Sequence, residues 1–137
     1  MPYKIRRIDY FQATVKDQPG EAYQLLSQLA DLGVNLLALT MVPMGPMATQ
    51  ITFFPENSHG LMHAASQAKL PLNGPRRALM IQGDDVLGAL VDVHARLASA
   101  GVNVFAANGI SDGVGHYCYI LHVRPEDYER AAGVLEV

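Results

Sequence analysis

Apolar and polar residues alternate along IDYFQATVK, residues 8–16, close to the start of the chain. Phe11, Ala13 and Val15 fall on one side of this segment, which predicts a strand with one buried face. The spacing then changes to a helical period. One apolar stripe at i, i+3, i+4 and i+7 is formed by Ala22, Leu25, Leu26 and Leu29. We therefore predict a strand followed by an amphipathic helix, which ends at Gly33.

Two further apolar segments follow the helix, at 36–42 and 49–54, and the turn PMGPM joins them. SHGLMHAASQA, residues 58–68, is predicted to be a short polar helix, and KLPLNGP, residues 69–75, a short terminal strand plus linker. The order is strand, helix, strand, strand, helix, short strand. Such a unit packs two helices on one face of an antiparallel four-stranded sheet, which is a ferredoxin-like α+β arrangement.

The same pattern returns 68 residues later in the chain. This offset pairs Gly20 with Gly88, and it pairs residues 33–35 with residues 101–103, which read Gly-Val-Asn in both copies. The second copy again contains a strand, an amphipathic helix, a hairpin, a polar helix and a terminal strand, VLEV. We predict two βαββαβ repeats, with antiparallel sheets and helices on one face.

The predicted domains are residues 1–72 for the first repeat and residues 73–137 for the second. One residue of the second repeat departs from the pattern of the first. His94 takes the place of Leu26 on the apolar stripe of its helix. We predict that His94 is a buried, hydrogen-bonded core residue.

Composition excludes several classes of partner. Half of the residues are hydrophobic and 17% are charged, which is typical of a folded chain. The 10 basic and 13 acidic residues give a formal net charge of −3, so the basic surface that nucleic acids require is missing. Cys118 is the only cysteine, which favours a reducing cytoplasm. No signal peptide is evident, and no apolar run reaches the roughly 20 residues that span a bilayer, so we expect no membrane partner.

Motifs of catalysis or cofactor binding are missing from the sequence. It contains no G-x-S-x-G, no phosphate-binding glycine loop followed by lysine and no H-E-x-x-H. His59 and His63 share a predicted helix face, but no third metal ligand stands at a fixed spacing. We predict that the protein is not an enzyme and has no cofactor, catalytic residues or metal site.

D-x-P-G, an amphipathic helix, G-V-N and an apolar strand follow one another in the first copy, beginning at Asp17. This order resembles the ACT domain, a family of small regulatory βαββαβ modules that commonly bind amino acids. The second copy matches at Asp85 and Gly88 but carries Leu87 where the proline stands in the first. The chain resembles a stand-alone tandem ACT protein. The resemblance implies an allosteric, regulatory role and a ligand site between two ACT units.

An amino acid could be held at the loop of each copy for a chemical reason. Its carboxylate suits the N–H groups at a helix start, and a glycine there lets it approach the backbone. Its ammonium suits an aspartate before the helix and an asparagine after it. The predicted ligand-binding residues of the first copy are Asp17, Gln18, Pro19, Gly20, Glu21, Asn35 and Leu36. Those of the second copy are Asp85, Val86, Leu87, Gly88 and Asn103.

A structural interpretation of these residues stays open, because an aspartate before a helix is also an ordinary cap and Gly-x-Asn an ordinary helix stop. The first hypothesis for the function is a homodimeric sensor that binds an amino acid between repeats or subunits and acts on a regulated enzyme or a regulator. The alternative is a ligand-free assembly module. The strands at 77–83 and 116–123 motivate it, because they are apolar on both faces and a second chain could cover them.

Overall fold

The computed structural model describes residues 3–137. In chain order the elements are β1 (Tyr3–Lys16), α1 (Glu21–Asp31), β2 (Leu36–Pro43), β3 (Ala48–Pro55), α2 (Ser58–Ala68), β4 (Asn73–Asp84), α3 (Val91–Ser99), β5 (Val104–Ser111), β6 (His116–Val123), a 3-10 turn (Pro125–Asp127) and α4 (Tyr128–Val134). The fold is α+β, as predicted. No helix within residues 3–137 has both the length and the apolar character needed to cross a bilayer.

The chain packs as two compact units. The first unit is Asp9–Arg76, and the second unit is Arg77–Val137 together with residues 3–8. The long strands β1 and β4 are each divided between the two units. The predicted repeat boundaries, 1–72 and 73–137, stay a prediction, since the compact units follow packing and not the sequence repeat.

In the first unit, β1 pairs with β3 and β3 pairs with β2, all antiparallel, and Phe11 lies opposite Phe53. The start of β4 completes the order β2-β3-β1-β4. Gly74 approaches Phe11 so closely that a Cβ on it would lie 2.9 Å from the ring. Helix and strand side chains form one core, made of Phe11, Leu25, Leu29, Ile51, Phe53, Leu61 and Ala65. The apolar stripe predicted for α1 is therefore confirmed.

The second unit repeats this arrangement with β4, β6 and β5, which are again antiparallel neighbours. Its core consists of side chains from one face of the strands, from α3 and α4, and from the end of the chain. The fully buried members include Leu79, Ile81, Val93, Leu97, Leu121, Tyr128 and Leu135. The Tyr128 hydroxyl donates a hydrogen bond to the Ala78 carbonyl at 2.9 Å, so this buried phenol is satisfied.

Residues 3–8 are tied to the second unit by side chains. Tyr3 Oη donates to Asp92 Oδ2 at 2.5 Å, and Ile5 packs against the core. Arg7 donates to Glu129 Oε1 at 2.9 Å and to the Val137 carbonyl at 3.0 Å. The beginning of β1, a neighbour of β4 in the sheet, thus belongs to the second unit.

Hydrogen bonds repeat with the same 68-residue offset as the sequence. The Asp17 N–H donates to the Met47 carbonyl at 3.0 Å, and the Asp85 N–H donates to the Gly115 carbonyl at 2.9 Å. β3 and β6 have matching bounds, and the β2–β3 and β5–β6 pairs carry an irregularity at the same place. The two units therefore share a backbone frame as well as a sequence pattern.

The predicted terminal strand VLEV is wrong, and the predicted strand within residues 69–75 is present only from Asn73. VLEV is helical at Val134, where α4 ends, and Leu135 then follows as its C-cap with a buried side chain. A run of four apolar and acidic residues is too short to separate strand from helix end. In the first repeat, residues 69–72 precede β4, which begins only at Asn73.

Candidate functional site

The predicted loop of the first unit, Asp17–Glu21, lies in the turn between β1 and α1. Gly20 is the N-cap of α1 with φ 89°, a left-handed conformation that favours glycine. No side chain caps this helix, so the interpretation of Asp17 as a cap is wrong. Residues 17–20 are all exposed.

Asn35 and Leu36 lie at the other end of α1, which has 11 residues and is about 16 Å long at 1.5 Å per residue. The first unit by itself therefore does not bring Asp17 and Gly20 together with Asn35. Asn35 lines a separate cavity of about 570 Å³, which Glu56 and the start of α2 also border. There the Asn35 side-chain N–H donates to Glu56 Oε2 at 2.5 Å, so part of its hydrogen-bonding capacity is already used.

The predicted loop of the second unit borders a cavity of about 360 Å³, which we call the loop cavity. Asp85, Val86 and Gly88 line it, followed by residues 89–91 at the start of α3. The opposite walls are residues 109–111 of β5 and 117–119 of β6. Leu87 points into solvent and is not among the lining residues, nor is Asn103.

Polar groups of the loop cavity come from the loop and from β5. Asp85 Oδ2 accepts a hydrogen bond from Ser111 Oγ at 2.9 Å, which holds the carboxylate at the cavity rim. The turn uses the N–H groups of Val86, Ala89 and Val91 for internal hydrogen bonds. Within residues 3–137, the N–H groups of Gly88 and Leu90 are not used in this way. These donors suit an anionic group at the beginning of α3.

Two tyrosines form the β6 side of the cavity. The pKa of Tyr117 is raised mainly by burial and, to a smaller extent, by the nearby Asp84 carboxylate. The Tyr117 hydroxyl is shielded from solvent and has no hydrogen-bond partner within residues 3–137. Burial also raises the pKa of Tyr119. Both phenols are therefore neutral at physiological pH.

A residue of α3, His94, contacts the hydroxyl of Tyr119. His94 Nε2 lies 2.8 Å from Tyr119 Oη, within hydrogen-bonding distance. The predicted hydrogen bond of His94 is present, but the predicted burial is wrong, because His94 is exposed. On the opposite strand Gly109 faces Tyr119 directly, and a Cβ on Gly109 would lie 2.8 Å from the ring carbon Cδ1.

Cys118 also lines the loop cavity, but burial raises the pKa of its thiol, more than the nearby Arg6 lowers it. A protonated thiol is a poor nucleophile. This residue therefore contributes a wall and not a reactive group.

The β5 and β6 walls of the loop cavity were not predicted from the sequence; they include Gly109, Ser111, Tyr117 and Tyr119. A signal was present in the repeat itself. At the 68-residue offset Gly109 is matched by Met41, and Tyr119 is matched by Ile51. A glycine in the second copy at the position of a bulky residue in the first copy indicates additional space in the second copy.

Comparison with solved structures shows the same fold elsewhere. A protein of Bacteroides thetaiotaomicron has a TM-score of 0.79 at 16% identity, covering 96% of this chain and 88% of that one. The regulatory subunit of aspartate kinase from Thermus thermophilus, in a ligand-free form, has a TM-score of 0.59 at 17% identity, covering 98% and 94%. The corresponding subunit from Thermus flavus has a TM-score of 0.60 at 17% identity, covering 99% and 95%.

No protein-family model matches the sequence, and no curated protein matches it significantly. The likeness to the solved structures extends over nearly the whole chain and confirms the predicted fold class.

Proposed function

We propose that this chain is a small, non-catalytic regulatory protein of the tandem ACT type that binds an amino acid, or a similar small metabolite, in the loop cavity. The observation that carries the proposal is the cavity of about 360 Å³ beside Asp85 and Gly88. The chemistry of these two residues predicts ligand binding, and they border a space large enough for a small metabolite.

The polar groups of the cavity suit the two charged ends of an amino acid. The Asp85 carboxylate, held by Ser111, can accept hydrogen bonds from an ammonium group. The N–H groups of Gly88 and Leu90 can donate to a carboxylate near the start of α3. Gly88 has φ 74°, and a Cβ there would meet no atom closer than 3.6 Å, so its backbone is open to a ligand.

The regulatory part of the proposal rests on fold-level analogy with the aspartate kinase regulatory subunits. A ligand shifts an equilibrium only if one state binds it more tightly than the other. We propose that the occupied cavity favours one state of association with an enzyme or regulator, in the cytoplasm and as a homodimer. Ligand contacts of Asp17, Gly20, Asn35 and Asn103 stay predictions.

A thermal-shift screen of the twenty amino acids, followed by calorimetry, tests the proposal. A ligand at a hundred times its Kd stabilises the folded state by about 2.7 kcal/mol, which for a chain of this size raises Tm by about 5 to 10 °C. Asp85→Asn keeps the shape and an acceptor for Ser111 but removes the charge. We expect it to weaken binding by about 10- to 100-fold.

Asp17→Asn is the matched control, because Asp17 occupies the same position in the first repeat and is exposed. If the ligand lies in the loop cavity, Asp17→Asn leaves the affinity unchanged, whereas a loss in Asp17→Asn alone would place the ligand at the predicted loop of the first repeat. Equal losses in both variants would place the ligand away from the loop cavity, and binding that tolerates Asp85→Asn would remove the carboxylate from the site. A wild-type protein that binds none of the twenty amino acids would contradict the proposal for amino acids.

Assembly through protein contacts is the second candidate function, and one observation favours it. β5 is exposed along nearly its whole length, with Phe105 57% and Ile110 74% exposed, and it carries no charged residue. The strands that first motivated this hypothesis are less relevant, because Leu79, Ile81 and Leu121 are fully buried within the chain itself. Light scattering at micromolar concentration tests it: a monomer contradicts the assembly function.

A further inference from the structure

We propose that Gly109 sets the size of the loop cavity, and that the cavity selects amino acids with uncharged aliphatic side chains. This inference rests on the proposed function, since it concerns the ligand class of the same site.

The rim of the cavity exposes apolar side chains to water. Val86, Val91 and Ile110 line it and are 60%, 68% and 74% exposed. Leu90 and the Tyr119 ring add further apolar surface. Covering such surface with an apolar ligand group releases about 25 cal/mol for each Å² removed from water. An aliphatic side chain would therefore gain affinity in proportion to the area that it buries here.

The charge of the walls excludes other side chains. Among the described lining residues Asp85 is the one charged group, and no lysine, arginine or histidine lines the cavity. An acidic side chain would meet this carboxylate, and the nearby Arg6, which acts on Cys118, does not itself line the cavity. A basic side chain would compete with the ligand's own α-ammonium for Asp85. An uncharged side chain meets neither penalty.

Gly109 determines how much room remains. It lies directly opposite Tyr119 across the β5–β6 ladder, and a Cβ would come within 2.8 Å of the ring carbon Cδ1. The ring cannot yield freely, because its hydroxyl is held by His94 at 2.8 Å. A side chain at 109 must therefore displace the Tyr119 wall. The first repeat has the opposite arrangement, with Met41 facing the smaller Ile51.

Calorimetry with alanine, valine and leucine on the wild-type protein and on Gly109→Ala tests the inference. For the wild type we expect affinity to rise about fourfold with each methylene that is buried, and aspartate to bind at least tenfold more weakly than leucine. Gly109→Ala should weaken leucine by tenfold or more and alanine by less than threefold. Retained alanine binding shows that the variant is folded.

Two further variants separate cavity size from general damage. Met41→Ala, at the matched position of the first repeat, should leave all affinities unchanged. His94→Leu in the Gly109→Ala background releases the Tyr119 hydroxyl, so the ring can move aside and leucine binding should recover at least threefold.

The outcomes distinguish this inference from the function on which it rests. Equal binding of alanine, valine and leucine, or an equal loss for all of them in Gly109→Ala, overturns the size-selection inference and leaves the amino-acid site standing. Tighter binding of aspartate than of leucine overturns the ligand class. If no amino acid binds the wild type, the function and this inference are both overturned.

Discussion

The two repeats share a backbone frame and differ in what they do with it. Each has a turn that begins at an aspartate and contains a glycine at the fourth position. In the first unit α1 begins at Glu21, directly after that glycine, whereas in the second unit α3 begins at Val91. The later helix start leaves the stretch from Gly88 to Leu90 as a turn, and this turn borders the loop cavity. The shared hydrogen-bond frame thus does not determine whether a cavity borders the turn.

The two units also differ in the residues that face each other across equivalent strand pairs. Met41 faces Ile51 in the first unit, and Gly109 faces Tyr119 in the second. In the first unit the longer side chain, Met41, lies on the edge strand β2, whereas in the second unit the large side chain, Tyr119, lies on the inner strand β6. Because the Tyr119 ring lies against a glycine, it forms a flat wall with space beside it. The units therefore differ in side-chain volume at these equivalent strand positions, in addition to the later start of α3.

The largest predicted effect tests whether the two cores are equivalent. Leu29 and Leu97 occupy matched positions, and each is 1% exposed. Leu29→Ala and Leu97→Ala should each lower the free energy of unfolding by about 3 kcal/mol, through lost burial and the cavity left behind. Urea denaturation of both variants measures this. We expect the two losses to agree within about 1 kcal/mol.

Val114→Ala is the control for this pair, because Val114 is 77% exposed. Its effect should stay within about 0.5 kcal/mol. A loss at one leucine that is less than half the loss at the other would mean that the shared frame does not produce equivalent cores.

Much of the fold follows from the sequence because its signals are local and occur twice. The helix stripe at Leu25 and Leu29 returns at Val93 and Leu97, and residues 58–68 and 116–123 form the predicted elements. Alternation and helical spacing depend only on neighbouring residues, so a single sequence reveals them.

Other features depend on contacts between distant parts of the chain, which no local pattern encodes. Residues 3–8 belong to the same strand, β1, as residues 9–16, yet they pack with the second unit through Tyr3, Ile5 and Arg7. The loop cavity arises where Gly109 meets Tyr119, and a glycine carries no periodic signal. The stripe position of His94 indicated burial, but its ring reaches outward to Tyr119.

A smaller predicted effect is a pH dependence of stability. It arises at equivalent positions of β3 and β6, which carry Phe54 and His122. His122 is buried, 9% exposed, where the first repeat has Phe54, and burial lowers its pKa from 6.5. The unfolded chain therefore binds a proton near pH 6.5 that the folded chain does not bind until lower pH. Stability contributed by neutral His122 is present above about pH 6.5 and is lost as the pH falls below it.

Urea midpoints measured between pH 8 and pH 5 reveal this loss. His122→Phe, which places the residue of the first repeat at this position, should flatten the decline. The pKa of Asp112 and the pKa of Glu129 are lowered below their ordinary values, so both groups titrate below this window. Parallel curves for the wild type and His122→Phe would exclude His122 as the source of the pH dependence.

The smallest predicted effect concerns the loop itself, where the first repeat has Pro19 and the second has Leu87. The Leu87 side chain is fully exposed, and the hydrogen bonds of its turn come from the N–H groups of Val86 and Ala89, so a proline at 87 removes no hydrogen bond. Leu87→Pro should raise the free energy of unfolding by about 0.5 kcal/mol, because proline restricts the unfolded chain. Urea denaturation measures the change, and calorimetry with the best ligand shows whether the cavity is retained. A destabilised variant would mean that the backbone at Leu87 differs from the backbone at Pro19, so that the two turns already diverge before Gly88.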